Sequence, residues 1–349
     1  MNFTNKKRNA FIRTIVKSLL VGLIMIGAAS CESIYDKEQN CDPVYRLRFV
    51  FDMNMDYADA FSSKVNSVSL YVFEASTGDL KATYNESGAV LKKEGYTMLL
   101  DLNPGDYEFI AWCGLEGNEG HFNVSQEISN LRDIGCSITK DRDSNGKAIV
   151  DKELYSLFHG RLKAELPDDR EEHLYTMSLV KNTNNVNLSI QEISGKSLDP
   201  SRFTVKLRAN NGIMDYDNSV LDDEEIEYSP YRIKGGSAHV GTKGEEDNTH
   251  DLVLAEMSTA RLIAKSNPSV EIYDNEKEST VYSIPLVKWA LMLKSEQYSY
   301  MGDQEYLDRE DEFNIILYVN ETPDDADYLA VSVLINSWRI VLNNDSELS

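Results

Sequence analysis

The sequence predicts an all-β protein built from β-sandwiches. Hydrophobic and polar residues alternate in many short segments, turn-forming residues separate these segments, and only one segment has helical spacing. Many short strands with turns between them are typical of sandwiches. The 349 residues are 42% hydrophobic and 27% charged, which indicates a folded chain and excludes a fibrous or low-complexity one. At about 150 residues per domain, the length predicts two domains.

The first thirty residues have the pattern of a secretory signal. Five basic residues precede an apolar run from Leu19 to Ala29. A helix of about 11 residues at 1.5 Å each is too short to cross a hydrocarbon core of about 30 Å, so a signal is favoured over a membrane span. Small residues directly before Cys31 resemble the lipobox of bacterial lipoproteins. We therefore expect residues 1–30 to be removed and Cys31 to be acylated as the mature N-terminus.

The charge of the chain limits its partners. It carries 58 acidic and 35 basic residues, a net charge of −23. All five charges of the predicted signal are basic, so the remaining chain is more acidic still. Nucleic acid and anionic lipid surfaces attract basic proteins, so neither is expected as a non-specific partner. The covalent lipid on Cys31 must then hold the protein at the membrane.

Residues 31–40 are predicted to be a lipidated tether. They are polar and acidic and show no apolar periodicity. Acidic residues just after a lipidated cysteine resemble the signal that sends lipoproteins of Bacteroides-type bacteria to the outer face of the outer membrane. A solvated linker is an equally good interpretation, and the two are compatible.

Period-two patterns begin after Cys41. In the first predicted strand, Tyr45, Leu47 and Phe49 lie on one face, and Arg46 and Arg48 lie on the other. Further strands are predicted in the first half at 68–73, 96–102 and 107–112, with a turn at Asn103-Pro104-Gly105-Asp106 joining the last two.

The second half shows the same alternation of hydrophobic and polar residues, with one predicted helix. Strands are predicted at 174–193, 202–209, 251–264, 269–273, 279–284, 312–319, 328–335 and 338–342. Helical spacing of Leu286, Trp289, Ala290 and Leu293 after Pro285 predicts one short helix. A polar stretch near residue 170 predicts an N-terminal sandwich at 41–170 and a C-terminal sandwich at 171–349.

Several segments resemble the FimB/Mfa2 family of fimbrial anchor lipoproteins. They are Cys41–Arg46, Asp52–Met55, Tyr57–Phe61, Val65–Val68, Leu70–Phe73, Leu102–Tyr107, Ala111–Gly114, Leu179–Asn185, Glu305–Glu310 and Ile335–Arg339. The resemblance implies two tandem transthyretin-like β-sandwich domains, an outer-membrane lipoprotein that faces the exterior, and a non-enzymatic role. It also implies that the protein binds major or minor pilin subunits at the base of a fimbria and limits its growth.

The residues themselves give no catalytic motif and one weak metal candidate. The five histidines are scattered, and no nucleophile elbow or phosphate loop occurs, so neither an enzyme nor a cofactor is expected. Asp141, Asp143 and Asn145 have the spacing that begins a calcium loop, but Lys152 stands where the loop needs a bidentate Glu. A turn between strands explains these residues equally well. The acidic stretches 215–218 and 222–225 are interpreted as solvated loops.

Three cysteines remain besides Cys31. An extracytoplasmic location permits a disulfide. If the strands at 44–53 and 105–113 are antiparallel neighbours, Cys41 lies beside Cys113. The alternative is that Cys41, Cys113 and Cys136 are buried free thiols.

Two classes of function remain open. One is the fimbrial anchor; the other is a surface-displayed adhesin or glycan-binding module, or an accessory minor pilin. In related pilins, the resemblance implies, cleavage at an arginine removes the first strand; here Arg46 lies inside a predicted strand and should be protected. We expect the pilin contact in the second domain, in a loop or edge such as 303–312.

Overall fold

The computed structural model describes residues 42–116, 120–239, 249–321, 328–336 and 338–341. Strands dominate these residues, so the predicted all-β class is confirmed. The strands are β1 (Val44–Val50), β2 (Ser67–Glu74), β3 (Leu80–Ser87), β4 (Met98–Leu100), β5 (Gly105–Cys113), β6 (Phe122–Val124), β7 (Gly135–Ile138), β8 (Asp141–Arg142), β9 (Ala148–Val150), β10 (Phe158–Leu166), β11 (Glu172–Lys181), β12 (Thr183–Glu192), β13 (Phe203–Ala209), β14 (Ile213–Asp215), β15 (Ile226–Tyr228), β16 (Arg232–His239), β17 (Thr249–Ala260), β18 (Ser269–Asp274), β19 (Ser279–Pro285), β20 (Glu312–Glu321), β21 (Tyr328–Ile335) and β22 (Trp338–Val341).

Seven strands form the first sheet, in the order β3-β2-β5-β10-β11-β1-β4. Alternate residues of β1, among them Leu47 and Phe49, are buried in one apolar cluster with Leu70 of β2 and Phe109 of β5. This is the face that the period-two pattern of β1 predicts.

Both faces of β5 are buried. Phe109, Ala111 and Cys113 belong to the first cluster, whereas Ile110 and Trp112 belong to a second cluster that holds most apolar residues of the C-terminal half. A strand covered on both faces has an uninterrupted apolar sequence, which explains the run from Phe109 to Cys113.

Three further sheets complete the described chain. Their orders are β16-β17-β12-β20-β21-β22, β19-β18-β13-β15-β9-β8 and β14-β7-β6. Strand β12 pairs with β20 in parallel, and β9 pairs with β15 in parallel. The apolar faces of the two six-stranded sheets contribute residues to the second cluster, including Leu188, Val205, Val253 and Leu317.

Strands from before and after the polar stretch near residue 170 share the same sheets. Strands β8 and β9 precede it but pair into the sheet that contains β13 and β15, whereas β11 follows it and pairs with β10 of the first sheet. The limits 41–170 and 171–349 remain a prediction.

Contacts divide the described chain into two compact units. Residues 42–44 and 168–172 belong to one unit, within which the Val44 amide donates to the carbonyl oxygen of Glu171 at 3.1 Å. The other described residues belong to the second unit, so both large apolar clusters lie within a single compact unit.

Within the described ranges, three short α-helices interrupt the strands: α1 (Phe61–Lys64), α2 (Leu286–Gln297) and α3 (Asp303–Arg309). The predicted helix after Pro285 is confirmed as α2, whose Leu286, Trp289 and Ala290 are buried. The prediction of a single helix is wrong, and so is the prediction that 303–312 is a loop or edge. Residues 303–309 form α3, which buries Tyr306, Leu307 and Asp308. Within the described residues, none of the helices has the length and apolar character to cross a membrane.

Trp112 provides a test of the second apolar cluster. Its side chain is fully buried, its ring centroid lies 4.7 Å from that of His159, and no described group accepts a hydrogen bond from its indole nitrogen. We expect Trp112→Ala to lower the free energy of unfolding by about 3–5 kcal/mol, because it leaves a large cavity. Trp112→Phe should cost clearly less, since it retains a ring and loses no hydrogen bond. Urea denaturation followed by circular dichroism measures both, and equal midpoints for Trp112→Ala and the wild type would contradict the prediction.

Candidate functional site: a loop and helix junction

The loop between β1 and α1, residues 52–58, is shaped by one asparagine. The side-chain amide of Asn54 donates to the carbonyl oxygens of Phe51 and Ala58, both at 2.8 Å, and its Oδ1 accepts from the Asp56 amide at 3.1 Å. These hydrogen bonds replace the strand pairing that ends with β1, so they fix a segment that would otherwise have few internal contacts.

Arg309, the last residue of α3, holds this loop from the other half of the chain. Its Nη1 donates to the carbonyl oxygens of Asp52 at 2.9 Å and Asn54 at 3.1 Å. The guanidinium lies 4.2 Å from the ring centroid of Tyr57, and its Nε bonds Glu305 at 3.0 Å. Two sequence segments that resemble the fimbrial anchor family, around Asp52 and around Arg309, therefore meet in space.

The residue before Arg309 in α3, Asp308, forms a buried ion pair with Arg261. Asp308 accepts from Nε and Nη2 of Arg261 at 2.8 and 2.7 Å, and the two side chains are only 8% and 11% exposed. Gln304 donates to Asp308 at 2.9 Å and to the carbonyl oxygen of Leu262 at 3.0 Å. The third guanidinium contact goes to the carbonyl oxygen of Asn218. The pair is thus bidentate and further hydrogen-bonded, as burial of two charges requires.

Asn218 continues this network into the core. Its side chain exchanges two hydrogen bonds with that of Asn182, at 2.6 and 3.1 Å, and both residues are buried. The interpretation of 215–218 as a solvated loop is therefore wrong for Asn218. Its backbone has a positive φ of 67°, a conformation that asparagine tolerates better than most residues.

His159 lies beneath the same loop. Its Nε2 is 2.9 Å from the carbonyl oxygen of Tyr216, and only 3% of the residue is exposed. Burial lowers the pKa of His159 from 6.5 to about 4, and the positive charges of Arg261 and Arg161 act in the same direction. The imidazole is therefore neutral near pH 7, which suits its place against the Trp112 ring.

The pKa of Glu310, the residue directly after α3, is shifted in the opposite direction to that of His159. Burial raises its pKa from 4.5 to about 7, and the carboxylates of Asp311 and Glu312 add to the effect. The neighbouring Asp311 forms an ion pair with Lys181 at the end of β11. This pair joins the Leu179–Asn185 segment to the residues that follow α3.

The predicted calcium residues form a tight hairpin between β8 and β9. Oδ1 of Asp143 accepts from the amides of Asn145 and Lys147, both at 2.8 Å, and the backbone bonds lower the pKa of Asp143. Asp141 forms an ion pair with Lys152 at 3.4 Å. Across the described part of the chain, no three His, Cys, Asp or Glu side chains are grouped to hold a metal. The Asp, Asn and Gly residues here have the roles that a turn requires.

The cysteine predictions have separate outcomes. Cys31 and Cys41 lie outside the described residues, so the lipid and any disulfide of Cys41 stay predictions. Cys113 and Cys136 are buried free thiols, and burial strongly raises the pKa of Cys113. We expected Cys41 beside Cys113 only if β1 and β5 were antiparallel neighbours. Among the described strands they are not, because β5 pairs with β2 and β10 while β1 lies between β11 and β4.

The fold and the site together define a class of protein: a multi-sheet β-sandwich protein with a junction at which loop 52–58 of the first half contacts α3 of the second, a helix that also carries a buried ion pair. The family model of fimbrillin-A associated anchor proteins Mfa1 and Mfa2 matches residues 37–344. The chain belongs to this family.

Three solved structures illustrate the similarity. A candidate adhesin of Bacteroides thetaiotaomicron is 30% identical with a TM-score of 0.74, over 86% of this chain and 97% of that one. A candidate polysaccharide-binding protein of the same species is 25% identical with a TM-score of 0.72, over 87% and 99%. The fimbrial anchor protein Mfa2 of Porphyromonas gingivalis shares the fold at 18% identity with a TM-score of 0.63, over 86% and 99%. No curated protein sequence matches the chain.

The ion pair of α3 gives a stability prediction with a matched control. Asp308→Ala should lower the free energy of unfolding by about 3–5 kcal/mol, because it leaves the Arg261 charge buried without its partner. Glu74→Ala removes an ion pair of similar length, 2.6 Å to Lys81, whose side chains are 39% and 41% exposed. That variant should lose much less, because solvent screens an exposed ion pair. Chemical denaturation tests the pair, and equal losses would refute a special role for Asp308.

The two shifted pKa values predict a pH dependence that variants can separate. The unfolded chain protonates His159 below about pH 6.5 whereas the folded protein does so only near pH 4, so stability should fall between these values on acidification. His159→Gln should make this fall shallower.

Glu310 binds its proton in the folded state near pH 7, so its stabilising contribution is present at low pH and is lost as the pH rises through about 7. Glu310→Gln should therefore make the loss on acidification steeper, and unfolding free energies measured across this range check both slopes.

Proposed function

We propose that this protein is a lipoprotein of the outer membrane that anchors the base of a fimbria and limits its growth without catalysis. Membership of the fimbrial anchor family carries the proposal. The N-terminal pattern supports it, because the residues before Cys31 have the features of a lipoprotein signal. The acidic chain has no electrostatic attraction to an anionic membrane, so acylation of Cys31 supplies the attachment.

Retention of the first strand distinguishes an anchor from a subunit that is processed for polymerisation. Arg46 lies inside β1, where it is paired with Leu99 of β4, and β11 covers the other edge of β1. A protease needs an extended and accessible backbone, so cleavage after Arg46 would first require the sheet to open. The protein accordingly keeps β1 and its lipid while pilins are added to it.

A second function is adhesion at the cell surface. Two of the similar structures are described as a candidate adhesin and a candidate polysaccharide-binding protein. A lipid-held pair of sandwiches can display loops to a host protein or a glycan as readily as it can hold a pilin. Loss of fimbriae from the cell on removal of the lipid separates the two functions, because an independent adhesin leaves fimbriae in place.

The test uses Cys31→Ala in the native cell. We expect an uncleaved or soluble protein, loss of the outer-membrane form, and release of fimbriae into the medium. Mass spectrometry of the wild-type surface form should show an acylated N-terminus at Cys31. Normal processing and membrane recovery of Cys31→Ala would contradict the lipid attachment, a mature N-terminus at residue 47 would contradict retention of β1, and fimbriae that remain cell-bound would contradict the anchor.

A further inference from the structure

Two exposed tyrosines from distant parts of the chain meet at the junction. Tyr57 is 50% exposed and Tyr300 is 72% exposed, although 243 residues separate them in the sequence. Their hydroxyl oxygens are 3.2 Å apart. The ring of Tyr298 lies edge-on to that of Tyr300, with centroids 6.4 Å apart. We call Tyr57, Tyr298 and Tyr300 the tyrosine patch.

The backbone of Tyr57 is held in an unfavourable conformation. Its φ is 52°, in the left-handed region that bulky residues rarely occupy. Asn54 and Arg309 hold the loop in this state through the contacts described above. The ring contacts Arg309 and its hydroxyl bonds Tyr300, yet half of the residue stays exposed and available to a partner.

Several charged side chains beside the patch are already paired, and one of the two tyrosine hydroxyls uses its proton in the bond between them. The Tyr57 and Tyr300 hydroxyls bond each other, Arg309 bonds Glu305 and the loop carbonyls, and Lys294 forms an ion pair with Asp303. A sugar needs free donors and acceptors for its hydroxyl groups, whereas a protein surface can bury ring carbons beside satisfied polar groups. Tyrosine and arginine are also the residues that carry most energy in protein interfaces. The chemistry therefore favours a protein ligand over a glycan.

The surroundings of the patch are acidic. Loop 52–58 contains Asp52 and Asp56 and no basic residue, whereas each acidic residue of α3 is paired with a basic side chain. The whole chain carries −23. A partner that approaches this face is favoured if its own surface is basic around an apolar centre.

We infer that the tyrosine patch is the surface on which this protein docks a pilin subunit, through an apolar area of the pilin with a basic rim. The inference rests on the proposed function and names the contact surface for it. Tyr298 and Tyr300 lie between α2 and α3, so the docking surface is built jointly by the loop that follows β1 and the segment between two helices of the C-terminal half.

The experiment measures binding of the full-length, detergent-solubilised lipoprotein to fimbriae sheared from wild-type cells and immobilised on a sensor. The test variant combines Tyr57→Asn with Tyr300→Ala, because asparagine removes the ring yet tolerates a positive φ. The double Tyr→Phe variant at the same positions keeps the rings without the hydroxyls. Tyr155→Ala, at a residue that is 54% exposed beside His121, is the matched control.

We expect the test variant to bind fimbriae at least about tenfold more weakly, the Tyr155 variant to stay within about twofold of the wild type, and the Phe variant, which keeps the rings, to bind more tightly than the test variant. Wild-type association should also slow as salt is added. Unchanged melting of the test variant establishes that it is folded. Wild-type binding that survives intact in the folded test variant would overturn the patch and leave the proposed function standing, whereas absence of wild-type binding would overturn both. Binding of the cells' own purified surface polysaccharide that is lost in the test and Phe variants would overturn the protein ligand in favour of a glycan.

Discussion

The buried ion pair between Arg261 and Asp308 fixes the position of helix α3, and several other features depend on that position. Arg309 can reach the carbonyl oxygens of Asp52 and Asn54 only from the end of a correctly placed helix. A buried ion pair recovers its desolvation cost only with close geometry and extra hydrogen bonds, which Gln304 and Asn218 take part in here. It therefore selects one arrangement of the junction more strongly than a purely apolar contact would.

Much of the strand pattern could be predicted from the sequence, because long strands with one buried face show their alternation directly. β1, β2, β13, β18 and β20 lie where the alternation places them. Strands of two to four residues, such as β8 and β9, are too short for a periodic signal, and β9 is defined by its parallel pairing with β15 far along the chain. Helix α3 has only seven residues, and its acidic sequence is easily taken for a loop.

The contacts of the junction, among loop 52–58, α3 and the Arg261–Asp308 ion pair, were harder to predict from the sequence than the fold. The segments around Asp52, Asn182 and Arg309 could each be recognised by resemblance, but their meeting depends on tertiary structure across more than a hundred residues. Asn218 lies in an acidic, turn-like stretch, so composition predicts solvent exposure, and only its pairing with Asn182 explains its burial. Similar structures are described as adhesins, polysaccharide-binding proteins and a fimbrial anchor, which is expected where function resides in surface sites carried by one scaffold.

The exchange of strands across the middle of the chain has a mechanical consequence. β9 pairs with β15, and β7 pairs with β14, so strands from before residue 170 are built into sheets with strands from after it. No single flexible peptide connects the two halves. A force that pulls the two halves apart would have to break several backbone ladders together rather than extend one linker. Mechanical resistance is thereby distributed over several paired strands.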